Sequence, residues 1–209
     1  MQLEKEKLSK MSFKEKLAYI WEYYKAVIFG IIAVIFIIGT IVNIHENAKY
    51  YDLVSIAVVD YAGLQDVSPV EEGLKEALGT GDKYEKVSID TSYSFGENLE
   101  NADYNTLMKF TAVIAAQSMD VLICSQAVYD NYSKDDYFLD LSTLFDEATC
   151  EKYGIKAGDT SLDISKLKKY QDMGLTYYEP CYLTVVVNTK NADNAAKLIE
   201  YLEEDGVNE

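Results

Sequence analysis

The sequence predicts an α/β fold, a single three-layer domain on a mostly parallel sheet, preceded by one transmembrane helix. Three observations predict it. One uncharged apolar run lies near the start of the chain, short β-branched segments alternate with amphipathic ones after it, and the 160 residues from Tyr50 to Glu209 suffice for one buried core. The expected organisation is a cytoplasmic amphipathic juxtamembrane segment at 1–25, a transmembrane helix at 26–44 and an extracytoplasmic α/β domain at 50–209.

Between Met11 and Lys25 the apolar residues Phe13, Leu17, Ile20, Trp21 and Tyr24 recur at helical spacing, so they share one helix face. Tyr19, Trp21, Tyr23 and Tyr24 suit the headgroup level of a bilayer, where amphipathic rings concentrate. The run AVIFGIIAVIFIIGTIV, Ala26–Val42, extends to Ile44 with Thr40 and Asn43 as its polar interruptions. A helix of that length covers the roughly 30 Å hydrocarbon core. The run exceeds the apolar core of a cleaved secretory signal, and His45, Glu46, Asn47 and Ala48 do not form a small-x-small cleavage site, so an uncleaved signal anchor is expected.

Downstream, DLVSIAVVDY at Asp52–Tyr61 reads as a buried strand. A helix follows from Ser68 to Gly79, with Ser68 at the N-cap, Pro69 in the first turn, Glu71 closing a capping box and Gly79 as the stop. Val87, Ile89 and Thr91 alternate in a second strand at Lys86–Ser94, and a loop around Gly96–Asn101 leads to a helix at Tyr104–Ser118 that reads as well buried. DVLIC at Asp120–Cys124 is a third strand, and Ser125 caps a helix through Tyr132. After Phe138–Leu141, a helix from Asp140 or Ser142 to Tyr153 and a small one at Ile164–Tyr170 precede a strand at Leu183–Asn188 and a closing amphipathic helix at Asn194–Glu204. Alternating strands and helices of this kind predict a sheet covered on both faces.

Six Lys and four Glu precede the span, a balance of +2; 13 Lys and 31 acidic residues follow it, a balance of −18, and the two sum to the chain's −16. Basic residues beside a span remain on the cytoplasmic side, which predicts an inside N-terminus and an exported domain at the plasma membrane. A strongly acidic chain without a single Arg is not expected to bind nucleic acid, because phosphate contacts need clustered cations.

Cys124, Cys150 and Cys181 have neither CxxC nor metal-ribbon spacing and read as buried thiols. His45, the one His, sits at the outer membrane boundary, which removes Ser-His-Asp and Cys-His chemistry from the domain. HExxH, GxxxxGK and GxGxxG do not occur. Asp130, Asp135, Asp136 and Asp140 lack the spacing of a calcium loop, and the adjacent carboxylate pairs read as solvated faces. No catalytic residue, metal or cofactor is expected. Tyr177, Tyr178 and Tyr182 surround Pro180, a clustering that ordinary partly buried tyrosines explain.

The segment DVLICSQAVYDNYSKDDYFLDLSTLF, Asp120–Phe145, resembles the lobe-I segment of the extracellular solute-binding proteins of ABC importers, of the type 2 periplasmic-binding-protein kind. Tyr132, Phe138, Leu139, Asp140 and Leu141 match that family's Y-x-x-x-G-x-L-x-D-L, with Asp136 or Tyr137 where the family has Gly. YEPCYLTVVVNTKNADNAAKLIEYL, Tyr178–Leu202, is similar to its return strand, with Pro180 and Asn188, and to the helix after it. These segments cover less than a third of the chain. The short stretch after Leu141 has no room for a second lobe, and an anchor stands where that family has a lipid-modified Cys, so the resemblance implies a reduced single lobe. The pattern KEKLAYIWEYYK leading into the span also looks like membrane proteins of Gram-positive anaerobes.

In such a sheet a ligand site belongs outside the carboxyl ends of the strands, which marks Asp60, Tyr61, Cys124, Ser125 and Gln126. The expected function is a membrane-anchored extracytoplasmic binding or interaction domain without catalytic activity. Its partners would be membrane lipid through the anchor, another membrane or cell-surface protein, or a small ligand. The alternatives are a solute-binding receptor subunit of an ABC importer or sensor and, third, a carboxylate-dependent cell-wall enzyme.

Overall fold

The computed structural model describes residues 12–63, 66–96, 99 and 102–204, with the side chain of Ile20 outside that set. Met11, the charges at Glu4–Lys10 and most of the loop expected at Gly96–Asn101 also lie outside the described residues. The chain divides into two units between Tyr50 and Tyr51.

Among the described residues the first unit holds one helix, α1, Phe13–Asn47. The amphipathic stretch and the apolar run are therefore continuous. Glu15 accepts from the Ser12 backbone N–H at 2.8 Å, so a carboxylate sits where unpaired amides and the helix dipole favour it. Its Trp21–Asn47 portion contains an 18-residue stretch with a mean hydropathy of 2.8 and is long and apolar enough to cross a membrane. Within it Thr40 Oγ1 donates to the Phe36 carbonyl at 2.9 Å, and Asn47 Nδ2 to Asn43 Oδ1 at 2.6 Å.

The second unit is α/β. Among the described residues its sheet has five strands, β1 (Tyr51–Val59), β2 (Glu85–Tyr93), β3 (Val121–Ser125), β4 (Leu162–Asp163) and β5 (Cys181–Val185), in the order β2-β1-β3-β5-β4. The helices are α2 (Ser68–Leu78), α3 (Tyr104–Ala115), α4 (Gln126–Tyr132), α5 (Glu147–Tyr153), α6 (Lys168–Met173) and α7 (Ala192–Glu203). β1 pairs parallel with β2 and β3, whereas β5 runs antiparallel to both β3 and β4. The sheet is thus mixed. The reason is where the last connection starts and ends: β4 finishes beside Tyr182, so the chain re-enters β5 at the end it has just left and must run back.

Alternation within the strands builds two cores. Ile56, Val58, Ile123, Leu183 and Val185 face a first core with Leu74 and Leu78 of α2 and Leu198, Ile199 and Leu202 of α7. Ala57, Val59, Leu122 and Cys124 face a second with Phe110 and Ile114 of α3 and Val128 and Tyr132 of α4. Cys124 and Cys181 consequently sit on opposite faces, and all three thiols are free.

Several local expectations shift. Helix α2 takes Val67 as its N-cap, and Asp66, not Ser68, supplies the capping acceptor by receiving the Ser68 amide at 3.1 Å and hydroxyl at 2.9 Å. Glu71 does not close a capping box; it accepts from the Ile89 amide at 2.8 Å and ties α2 to β2. Gly79 does end the helix, and the position has no space for a side chain: a Cβ there would come within 2.6 Å of the Lys75 carbonyl and 2.7 Å of Glu85 Oε2. The helix expected from Asp140 to Tyr153 is two pieces. Asp140 caps a 3₁₀ turn at Leu141–Leu144 and Asp146 caps α5, each carboxylate competing for nearby amides and breaking the run. Helix α3 is not well buried, since Phe110 and Ile114 are its buried side chains.

Candidate functional site

Strand β1 leads through α2 to β2 on one side, while β3 lies on its other side, so the crevice between the carboxyl ends of β1 and β3 is the topological switch point. Parallel pairing of Val58 with Ile123 brings Asp60 and Tyr61 beside Cys124, Ser125 and Gln126 at this one end. The sequence-predicted residues are therefore collected, and their hydrogen bonds separate them into two groups.

Asp60 faces β2. Its φ is +50°, a left-handed conformation that a short polar side chain tolerates. The Asp60 amide donates to the Tyr93 carbonyl at 2.9 Å, and its Oδ1 accepts from the amides of Phe95 at 2.9 Å and Gly96 at 3.0 Å. This carboxylate staples the exit of β2 to the end of β1. Tyr61 is half-buried against the first core.

Gln126 faces β5. It is exposed, accepts from the Tyr182 hydroxyl at 2.8 Å and donates to Asp130 at 2.7 Å. Tyr182 packs on Tyr129 with ring centroids 5.2 Å apart, and the Tyr129 hydroxyl lies 2.8 Å from Thr160 Oγ1. Ser125 caps α4 through its backbone position alone; its Oγ is buried without a hydrogen-bond partner among the described residues.

Between these groups stands a residue that pattern reading did not select for the site. The Tyr178 hydroxyl donates to the carbonyl of Val59, the last residue of β1, at 2.8 Å, and lies 3.5 Å from the carbonyl of Ile123 in β3. The chain's own phenol thus occupies the switch-point crevice. Near it, Tyr170, Thr176 and Cys181 form a small polar network: Tyr170 Oη is 2.7 Å from Thr176 Oγ1, and Cys181 Sγ is 3.3 Å from Tyr170 Oη. The one local signal was the clustering of tyrosines at Pro180. The contact with Val59 spans 119 residues of sequence and leaves no local trace.

Burial pushes the Tyr178 and Tyr170 phenols and the Cys181 thiol above their ordinary values, and the Cys124 thiol well above its own. These groups are held protonated at neutral pH, opposite to what an activated nucleophile needs. Within the acidic cluster, Asp135 and Asp136 are exposed, Asp130 accepts from Gln126, and Asp140 does structural work. Asp140 is held below the usual carboxylate range by the Ser142 hydroxyl, and it also accepts the Ser142 and Gly158 amides, each at 3.0 Å. Among the described residues, no three His, Cys, Asp or Glu side chains converge as a metal cage would require.

A separate groove of about 340 Å³ lies among α2, α6 and α7, lined in part by Pro69, Val70, Gly73, Met173 and Tyr201. Lys169 at its edge reaches Glu204 at 2.8 Å and lies 4.1 Å from the Tyr201 ring centroid.

Comparison of the chain with protein-family models, with curated proteins and with solved structures finds no match.

Proposed function

We propose that the chain is a single-pass plasma-membrane protein whose α/β domain, outside the cytoplasm, acts by binding another protein and not by catalysis. A reduced lobe related to solute-binding proteins is the origin this reading favours. One observation carries it: the crevice where a sheet of this topology receives a ligand is filled by Tyr178, with its hydroxyl satisfied at 2.8 Å by the end of β1. Protonated, buried thiols and phenols around that crevice support a non-catalytic role, as does the position of His45 in α1.

The reading is tested by thermal shift of the full chain against sugars, amino acids and peptides. The expected response is flat, whereas a specific ligand at 100 times its Kd would stabilise by roughly 2.7 kcal/mol. Tyr178→Gly, which vacates the crevice, is expected to gain a shift with p-cresol that the parent chain lacks. A ligand response in the parent chain sinks the proposal. Topology is checked by adding protease to intact cells, where residues after Tyr51 are expected to be cleaved.

The second reading, a solute receptor, is favoured by the rim of Gln126, Tyr182 and Tyr129, aromatic faces beside one exposed amide at the strand ends. The same ligand screen decides between the two.

A further inference from the structure

Among the described residues, the outward face of α3 is apolar and unpartnered. Tyr104 is 74% exposed, Met108 51% and Leu107 37%. Together with Thr111, Ala112 and Ala115, also exposed, they follow the helical repeat along one stripe. The Thr111 hydroxyl is satisfied by the Leu107 carbonyl at 3.0 Å, so it demands no water in a contact. Lys109 lies off the stripe, paired with Asp90 at 2.8 Å.

Two properties of the stripe say what fits it. The first is charge. In a domain of net −18, α3 is the one α-helix without an acidic residue among the described residues. It is a helical surface on which two such domains can meet without opposing carboxylates. The second is shape. Bulky residues occupy its first half and small ones its second, which makes the stripe self-complementary about a twofold axis passing between Lys109 and Phe110. In an antiparallel pair, Tyr104 of one copy lies over Ala115 of the other and Met108 over Thr111. The two Leu107 side chains then meet along one flank.

We infer that α3 is the contact between two copies of this chain, packed antiparallel. Twelve residues of helix span about 18 Å and bury on the order of a few hundred Å² per copy, below the roughly 1,200 Å² of stable soluble interfaces. The pairing therefore rests on the anchored reading above, because confinement to one bilayer supplies the effective concentration that the area does not.

The test is cross-linking of the full chain in its membrane. Leu107→Cys is introduced in a Cys150→Ser background, since Cys124 and Cys181 are buried, and treated with a short bismaleimide. A covalent dimer is expected. Tyr104→Glu should lower its yield severalfold without changing Tm, and adding Ala115→Lys should restore it. Positions 104 and 115 are about 16 Å apart along one helix, too far to pair within a chain, so recovery reports contact between copies. Absence of the dimer overturns the proposal, as does a Tyr104→Glu chain that cross-links like its parent or a loss that Ala115→Lys does not recover. A product of another mass replacing the dimer, or a Leu107→Cys thiol that is shielded from maleimide by the bilayer, overturns it equally. Release of the chain by alkaline carbonate instead sinks the anchored reading, and the band still decides the pairing.

Discussion

The two faces of the sheet are finished in different ways. On the first, the contact is aliphatic: α2 lays Leu74 and Leu78 onto the strands and α7 lays Leu198, Ile199 and Leu202, and Leu74, Leu198, Ile199 and Leu202 are all at most 2% exposed. On the second, α3 holds on through two buried side chains, and most of the contact is aromatic. Phe110 meets the rings of Tyr93 and Phe95 at 5.7 Å and Tyr132 at 4.6 Å. Such rings bury about 150–250 Å² each and add edge-to-face attraction, so two points of attachment suffice. The outer side of α3 is thereby released from packing duty, and it carries the exposed stripe.

The sharpest way to break this contrast is Phe110→Ala. It removes the hub of the second face and should cost about 3–5 kcal/mol in denaturant unfolding. A loss no greater than that of an average surface change would show that α3 is held elsewhere. On the first face, Gly79→Ala forces a methyl against the Lys75 carbonyl and the buried Glu85 carboxylate, and about 1–3 kcal/mol is expected. If Tm is unchanged, the approach of α2 to β2 is looser than the packing implies.

Glu203 of α7 offers a smaller, pH-dependent test. Burial raises its carboxyl above the ordinary value, with Lys152 opposing. A raised acid pKa means that folding favours the neutral form, so Glu203 leaves stability intact below the unfolded pKa and lowers it as pH climbs through the folded one. Glu203→Gln should accordingly raise Tm at neutral pH and not below about pH 4. An equal gain at both pH values would rule out the charge as the cause. Smallest of all, Met108→Ser on the open side of α3 should change the stability of the folded unit by less than about 0.5 kcal/mol. A larger loss in a dilute, unpaired preparation would mean that the stripe is packed within its own chain.

The legible parts of the structure were those written in local pattern. The apolar run at Ala26–Ile44 falls inside α1, and β1, β2, β3 and α7 fall within a few residues of where alternation and helical periodicity put them. Apolar content misled at α3. Leu107, Met108 and the alanines there read as core, because hydropathy reports what a residue would gain by burial and not whether anything covers it. Two-residue β4 was too short to carry a period, and the reversed direction of β5 depended on where its connection began. At the strand ends, Asp60, Tyr61, Cys124, Ser125 and Gln126 lie together because strand ends can be counted along a chain, and Tyr178 was missed because its acceptor lies on a distant strand.

By itself, the sequence determined a helix long and apolar enough to cross a membrane, the acidic α/β class and the gathering of Asp60, Tyr61, Cys124, Ser125 and Gln126 at one end of a sheet. Hydropathy and backbone periodicity act between near neighbours and need no partner to be read. Only the tertiary structure decided that β5 runs antiparallel, that Tyr178 closes the crevice and that one side of α3 remains open. Each of these depends on which distant segment arrives to compete for the same carbonyl or the same apolar surface, and that competition is settled in space.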